Sequence, residues 1–296
     1  MRIINPSVEL IPSYGYKFED IKKDIERAGR TSYASSDKIT DNSYERFYDM
    51  ITNNGHDSVL EFGTVYLAIP KKEVLENILT KDMWYTLSQN PYTTLMTVSD
   101  IIYITTNMRV LLENKLVPEI LNYITEPTKF HHQRFTFKFI LSRGIADEFA
   151  RHRGMSICMQ STRYCNYSKD RFNHEITFVN SQMIPLNEGV YNLNEQNNLI
   201  GDGFILDFNI TKENINISQV LATTYFMQEA QYFLLLEKGV VPQIARNVLS
   251  LGVKTELIMC GNLIQWGHFF KLRCSNSAHP EAKFLAEKAR NILLSK

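Results

Sequence analysis

The stretch RGIADEFARHRGMSICMQSTRYCNY, residues 143–167, gathers more anion-binding side chains than any other part of the chain. Its first half has the spacing of a helix. Glu148, Arg151 and His152 stand at positions i, i+3 and i+4, so a helix over residues 145–152 would place them on one face. The pattern therefore predicts a helix face that carries a carboxylate, a guanidinium and an imidazole.

The second half of this stretch carries groups that proteins use to bind phosphate. Ser161 supplies a hydroxyl, and Arg163 supplies a planar guanidinium that can donate two directed hydrogen bonds. A second interpretation stays open on residue types alone. Arginines at a helix C-terminus also complement the helix dipole, and charge clusters are often solvated faces. Other motifs in the chain must decide between an anion site and an ordinary surface turn.

The whole chain of 296 residues is electrically balanced, with 32 basic and 32 acidic residues. No global field would draw it to nucleic acid or to an anionic membrane, so neither partner is expected. Its 44% hydrophobic and 22% charged residues are ordinary for a globular protein with a sizeable core. Any anion that binds must therefore be held by a local cluster of side chains.

The N-terminus and the cysteines indicate a cytoplasmic protein. The opening residues, MRIINPSVELIPSYG, lack the basic start and long apolar core of a signal peptide. No apolar run approaches the roughly 20 residues that span a bilayer. The cysteines are Cys158, Cys165, Cys260 and Cys274. Because they form no CxxC pair, no metal site is expected, and reduced thiols are the default in the cytosol.

Hydrophobic periodicity predicts helices interspersed with strands. Helical spacing is found at 17–28, 41–53, 108–113, 218–238, 262–272 and 280–294. β-Branched and aromatic residues indicate strands at 8–11, 64–69, 103–107, 135–141 and 253–259. Residues 180–216 are rich in asparagine and poor in periodicity, which favours a loop or small excursion.

Three motifs resemble those of the flavin-dependent thymidylate synthases. The first is Arg-His-Arg, seven residues and Ser at 151–161, and the second is Gly-His-x-Ser-x-x-Glu at 55–61. The third is the run NLIQWGHFFKLR at 262–273. The motifs stand in the family's order. The resemblance implies an α+β fold with a mainly antiparallel sheet flanked by helices. It also implies a single domain over residues 1–296, with insertions at about 71–129 and 180–216.

The resemblance also implies an activity. The family makes thymidylate by adding a one-carbon unit from methylenetetrahydrofolate to C5 of dUMP and reducing that unit with flavin hydride. FAD would be the cofactor, and NADPH would reduce it. The active form would be a homotetramer with FAD at the subunit junctions. Because the flavin carries the redox step, the protein must supply binding, orientation and charge.

The matching motif positions imply which residues would take part. The implied FAD contacts are Ser58, Glu61, Arg151, His152, Arg153, Asn262 and His268. The implied dUMP contacts are Glu148, Arg151, Ser161, Arg163, Arg246 and Arg273. Two phosphate-bearing ligands would explain why a neutral chain gathers so many arginines.

Arg273 is the implied catalytic residue. Carbon 5 of uracil is a weak nucleophile unless electron density is pushed into the ring. A guanidinium beside the N3–C=O edge favours the N3 anion, in the way that an oxyanion hole stabilises developing charge. This activation needs no thiol attack at C6. A covalent mechanism through Cys158 or Cys274, which lie near the motifs, remains an alternative that the sequence alone leaves open.

Five positions depart from the family's pattern. Phe62 stands where a histidine is common, Asp147 stands where this branch commonly has histidine, and Ile264 stands where an arginine is usual. Met159 and Gln160 occupy the places of a polar or acidic pair before Ser161. We therefore expect weaker dUMP binding, which Glu at position 160 would improve.

Two other functions remain possible readings of the same sequence. One keeps the fold but stops at hydroxymethylation, or acts on another deoxypyrimidine nucleotide. The other is a nucleotide- or RNA-binding protein without catalysis. The zero net charge argues against RNA binding, and the intact arginines of the motifs argue against loss of catalysis.

Overall fold

A computed structural model describes residues 1–75, 81–163, 165–193, 199–201, 204–206 and 216–296. The helices are α1 (Phe18–Ser32), α2 (Ser43–Asn53), α3 (Asp57–Leu60), α4 (Lys71–Leu75), α5 (Lys81–Gln89), α6 (Met108–Glu113), α7 (Arg143–Phe149), α8 (Ile217–Glu237), α9 (Pro242–Ala245), α10 (Leu263–Arg273) and α11 (Pro280–Leu294). The strands are β1 (Arg2–Ile4), β2 (Ser7–Ile11), β3 (Thr64–Pro70), β4 (Thr94–Val98), β5 (Ile101–Asn107), β6 (Arg134–Ser142), β7 (Ser156–Met159), β8 (Thr177–Val179), β9 (Gly189–Val190), β10 (Asn192–Leu193), β11 (Leu199–Gly201), β12 (Phe204–Leu206) and β13 (Lys254–Asn262).

The sheet that positions the site has the strand order β2-β6-β13-β7, and every neighbouring pair is antiparallel. β6 and β13 pair along their whole length, from Lys254 opposite Ser142 to Asn262 opposite Arg134. α7 follows β6 directly, and α10 follows β13 directly. Because the two strands are antiparallel, these helices start at opposite ends of the sheet and run toward each other. Their C-terminal ends therefore meet.

One face of this sheet is covered by α7, α10 and α11. Alternate residues of β6, namely Phe137, Phe139 and Leu141, are fully buried on that face. They share a cluster with Trp266 of α10, whose indole N–H donates to the Phe135 carbonyl at 3.0 Å. Burial of a large apolar side chain stabilises a fold by about 1.5–3 kcal/mol. This packing therefore fixes α10 over the sheet.

The opposite face of the sheet is covered by α1. Ile258 of β13 and Cys158 of β7 pack against Ala28 of α1. The Cys158 thiol donates a hydrogen bond to the Ala28 carbonyl at 3.1 Å, and its sulfur lies 2.8 Å from the Ser32 hydroxyl. The C-terminal end of α1 is thus held against β7.

A second antiparallel sheet has the order β3-β5-β4. Leu67 of β3 and Ile104 of β5 are fully buried in a core that they share with Ile25 of α1 and Ile51 of α2. Residues 101–107 lie inside the segment expected to be an insertion, yet they form the central strand of this sheet. The assignment of 71–129 and 180–216 as insertions in a single domain stays a prediction.

The expected α+β class is confirmed. The strand pairs are antiparallel except for β1 and β8, which pair in parallel within the small sheet β8-β1-β9. A third small sheet has the order β10-β11-β12. Part of the expected loop at 180–216 therefore contains short strands, and its residues 194–198, 202–203 and 207–215 lie outside the described residues. In the described part of the chain, no helix is long and apolar enough to cross a membrane.

The helix expected at 145–152 is wrong at its C-terminal end. α7 ends at Phe149, and Arg151 and His152 lie in the turn that follows. The backbone N–H of His152 donates to the Phe149 carbonyl three residues back, at 3.1 Å. The chain tightens here because it must reverse direction to enter β7 at Ser156.

Candidate active site

A cavity of about 760 Å³ lies between α10 and the turn that joins α7 to β7. Arg151, His152 and Arg153 line one wall, and His268 and Arg273 line the other. These five residues come from two motifs more than 100 positions apart in the sequence. The convergence of α7 and α10 over the sheet brings them together.

The walls of this cavity combine positive charge with apolar surface. Arg151 and Arg153 are exposed, and neither forms an ion pair with any residue that the structure describes. Ile264, His268 and Leu272 are spaced four residues apart on α10, so they form one stripe along the helix. A ligand with phosphate groups and aromatic rings fits such a cavity in size and in chemistry. Ile264 nevertheless leaves this wall without the arginine that the family usually has.

Arg273 closes the cavity at the C-terminal end of α10, and three hydrogen bonds fix its guanidinium. Its Nη1 donates to Glu148 Oε2 at 2.6 Å, and its Nη2 donates to the Glu148 carbonyl oxygen. Its Nε donates to His152 Nε2 at 3.0 Å. A guanidinium has five N–H groups, so two remain after these three bonds. Arg273 is therefore held in a fixed orientation while it can still bind a ligand.

The hydrogen bond from Arg273 determines the charge of His152. A guanidinium can only donate, so His152 Nε2 must accept and cannot carry a proton. The ring is buried, and burial, Arg273 and His268 together lower its pKa from 6.5 to about 4. At neutral pH His152 is an uncharged acceptor that orients Arg273.

The other expected nucleotide residues lie at the far end of β7. The backbone N–H of Ser161 donates to the Ser32 carbonyl at 3.0 Å, which ties this turn to α1. Arg246 Nη1 donates to Thr162 Oγ1 at 2.8 Å, so Arg246 lies beside the same turn. Seven residues separate Arg153 from Ser161, and the four of them that form β7 span about 13 Å. Within one chain the expected dUMP contacts thus form two groups, and the second contains Ser161, Arg163 and Arg246.

Ser58, Glu61 and Asn262 do not line the cavity. Ser58 is exposed on α3, and Glu61 pairs with Arg109 at 2.7 Å. Asn262 caps α10, since its side-chain oxygen accepts from the backbone N–H of Gln265 at 3.0 Å. In one chain Glu61 and Asn262 therefore have local structural contacts, and the expected roles of all three residues toward FAD stay predictions.

Gln160 differs from its sequence interpretation. Its side chain is only 5% exposed and points into the protein, where Oε1 accepts from Lys254 Nζ at 3.3 Å. Its side chain therefore has protein partners in this chain, and the expected effect of Glu at position 160 stays a prediction. Sequence reasoning missed Lys254 and its partner Glu256. Their alternation on a strand, with both residues on one face, was the available signal.

The cysteines near the motifs lack the properties of a nucleophile. Cys158 is buried, and burial raises the pKa of its thiol to about 11. Burial also raises the pKa of Cys274. A reactive thiol needs a lowered pKa, because the thiolate is the attacking species. The structure therefore argues against the covalent mechanism through either residue.

The sequence of this chain matches one protein family and is similar to several known proteins. The family model for thymidylate synthase complementing protein matches residues 85–296. A flavin-dependent thymidylate synthase of Synechocystis sp. is 29% identical over 159 residues, which cover 54% of this chain and 65% of that protein. A probable flavin-dependent thymidylate synthase of Paramecium bursaria Chlorella virus 1 is 25% identical over 186 residues, which cover 62% of this chain and 78% of that protein.

The match to the Synechocystis protein thus spans slightly less than two thirds of that relative's length. Among solved structures, a UMP/dUMP methylase from Streptomyces cacaoi, bound with 5-Br dUMP, is similar with a TM-score of 0.43. The sequence identity is 16%, and the match covers 100% of this chain and 93% of that chain.

The buried, neutral state of His152 predicts a pH dependence of stability. The folded pKa is about 4 and the unfolded pKa is about 6.5, so the unfolded chain binds more protons between these values. Stability should therefore fall as the pH falls from 7 to 5, by roughly 1–2 kcal/mol from this residue. Urea unfolding of wild type and His152→Gln at both pH values measures the difference. His56→Gln, a change at an exposed histidine outside this cavity, is the control. Equal pH dependence of wild type and His152→Gln would contradict the assignment.

Proposed function

The chain belongs to the thymidylate synthase complementing protein family, and we propose that it is a flavin-dependent thymidylate synthase that methylates dUMP at C5. The observation that carries this proposal is the convergence of Arg151, His152 and Arg273 on one cavity, with Arg273 held by Glu148 and His152. These residues occupy the matching positions of two family motifs. Methylenetetrahydrofolate would donate the carbon, and NADPH would be the reductant.

The cavity fits FAD as cofactor. Arg151 and Arg153 would hold the phosphates, and the apolar stripe that contains Ile264 and Leu272 would contact a ring system. When bound, FAD would supply the hydride that reduces the transferred one-carbon unit. With Ile264 in place of arginine, binding on this wall would depend less on charge and more on apolar contact.

Arg273 would activate the pyrimidine. Its two remaining N–H groups can donate to the N3–C=O edge of uracil, where negative charge develops as C5 becomes nucleophilic. Glu148 and His152 hold the guanidinium before the substrate arrives, so no reorganisation is needed during the reaction. A neutral His152 adds no positive charge that would repel Arg273.

The active form would be a homotetramer in which each nucleotide site combines two chains. In one chain, Arg273 and Ser161 belong to groups separated by the length of β7. A single dUMP could contact both groups if a second copy brings its Ser161 turn to the cavity. The four cysteines, which form no disulfide, agree with a cytoplasmic location.

An exposed stripe on α8 supports assembly of copies. Ile217, Val220, Met227 and Leu234 are each at least 46% exposed and are spaced three and seven residues apart. This spacing keeps them on one side of the helix. The opposite side of α8 is already buried in the chain's own core, so the stripe offers a second apolar face for a neighbouring subunit.

The proposed activity is tested by weighing the product. The protein is incubated with FAD, NADPH, methylenetetrahydrofolate and either dUMP or dCMP, and the nucleotides are analysed by mass spectrometry. We expect a methyl increment on dUMP and little change in dCMP. A hydroxymethyl increment, or a preference for dCMP, would overturn the proposal in favour of the hydroxymethylase reading.

Arg273→Lys should lose most turnover while the protein still folds. Lysine keeps the charge but lacks the planar fork that binds Glu148 and the uracil edge together. Loss of one such donor typically lowers the rate by on the order of 10²–10³. Tritium release from C5-labelled dUMP measures turnover, and Lys271→Arg on the exposed side of α10 is the control. Wild-type turnover in Arg273→Lys would remove Arg273 from the mechanism.

The shared site predicts complementation between inactive subunits. Arg273→Lys damages one group and Arg163→Ala damages the other, so mixed tetramers should regain about a quarter of their sites. The two variants are unfolded and refolded together, and tritium release is measured. The control mixes Arg273→Lys with Arg151→Ala, which damage the same group and should not rescue each other. Equal recovery in both mixtures, or none in either, would show that the groups do not meet across subunits.

A further inference from the structure

Gln160 precedes the turn 161–163, and each of its polar groups has a partner. Its backbone N–H donates to the Glu256 carbonyl at 2.8 Å, and its carbonyl accepts from Thr255 Oγ1 at 3.2 Å. Its side-chain Oε1 accepts from Lys254 Nζ at 3.3 Å, and its Nε2 donates to Cys165 Sγ at 3.5 Å. An ammonium can only donate, so Lys254 fixes which end of the amide faces it.

Lys254 is itself held by a half-buried carboxylate. Glu256 pairs with Lys254 through Oε1 and with Lys138 through Oε2, the latter at 3.0 Å. Burial alone would raise the pKa of Glu256, but the two lysines hold it below its usual value, so the carboxylate is ionised at neutral pH. The three charged side chains share the face of the sheet that α1 also covers. Of these three side chains, Lys254 is the one that bonds to the Gln160 side chain.

We infer that Lys254 is a positioning residue for nucleotide binding, which it controls by holding Gln160 and hence the turn that carries Ser161 and Arg163. This inference rests on the proposed function. Ser161 follows Gln160 directly, so a shift of the Gln160 backbone that repairs the unpaired amide would move the Ser161 hydroxyl and the arginine beyond it. Without Lys254, the buried Oε1 loses its donor and the amide must find another arrangement. The expected consequence is weaker dUMP binding with FAD binding unchanged.

Two other roles for Lys254 make different predictions. If the ion pair between Lys254 and Glu256 were purely structural, its removal would lower the free energy of unfolding and leave the KM for dUMP unchanged. A long-range charge effect would act through the net charge of the cluster, so loss of Lys138 would have the same effect as loss of Lys254. Lys138 contacts the same carboxylate but not Gln160, which makes it the matched control.

The test compares Lys254→Met, Lys254→Arg and Lys138→Met in steady-state turnover of dUMP at saturating FAD, NADPH and methylenetetrahydrofolate. Lys254→Met should raise the KM for dUMP about tenfold, the effect of one lost hydrogen bond in a buried site, with kcat changed far less. Lys254→Arg should restore most of the affinity, and Lys138→Met should leave the KM unchanged. Absorbance titration should show the same FAD affinity in all variants.

An unchanged KM for dUMP in Lys254→Met, or an equal rise of that KM in Lys138→Met, would overturn the inference. Gln160→Met, which keeps the length of the side chain and removes its amide, covers the case in which Lys254→Met fails to fold. It should raise the KM in the same way, and an unchanged KM would contradict the inference. Calorimetry with wild type separates the two proposals, because absent dUMP binding there counts against the proposed function itself.

Discussion

The register between β6 and β13 sets the direction of the two helices that carry the cavity. Each strand runs without a loop into its helix, and the antiparallel pairing points α7 and α10 at each other. Trp266 and the alternating aromatic residues of β6 hold α10 against the sheet. A shift of one residue in this register would turn every buried side chain of β6 to the other face. The convergence of Glu148 and Arg273 therefore depends on this pairing.

Charge and hydrogen bonding then determine how Arg273 is oriented in the cavity. The guanidinium of Arg273 is oriented by one carboxylate and one neutral imidazole, and two of its N–H groups stay available. The low pKa of His152 follows from burial and from the neighbouring positive charge, so its role as acceptor is built into the fold. At the far end of β7, Lys254 pairs with Glu256 and donates to Gln160, which precedes the turn of Ser161. Each of the two groups of expected nucleotide residues thus lies beside an ionic cluster.

The sequence predicted the elements better than the contacts between them. Alternation in β6, the helical spacing of α10 and the spacing of the three motifs depend on local periodicity, which a single sequence displays. The hydrogen bond between His152 and Arg273 joins residues 121 positions apart, and no local pattern encodes it. Gln160 was expected to affect dUMP binding because it precedes Ser161, an expected dUMP contact, whereas its side chain is buried and bonded to Lys254. The separation of Ser161 from Arg273 likewise requires the path of β7, which spacing alone does not give.

The central claim is that one nucleotide site combines the Arg273 cavity of one chain with the Ser161 turn of another. A crystal structure of the protein with FAD and dUMP tests it most directly. We expect the uracil edge of dUMP to contact Arg273 while its phosphate contacts Ser161 of the partner subunit. A dUMP molecule bound by Arg273 and Ser161 of the same chain, or by neither residue, would contradict the account.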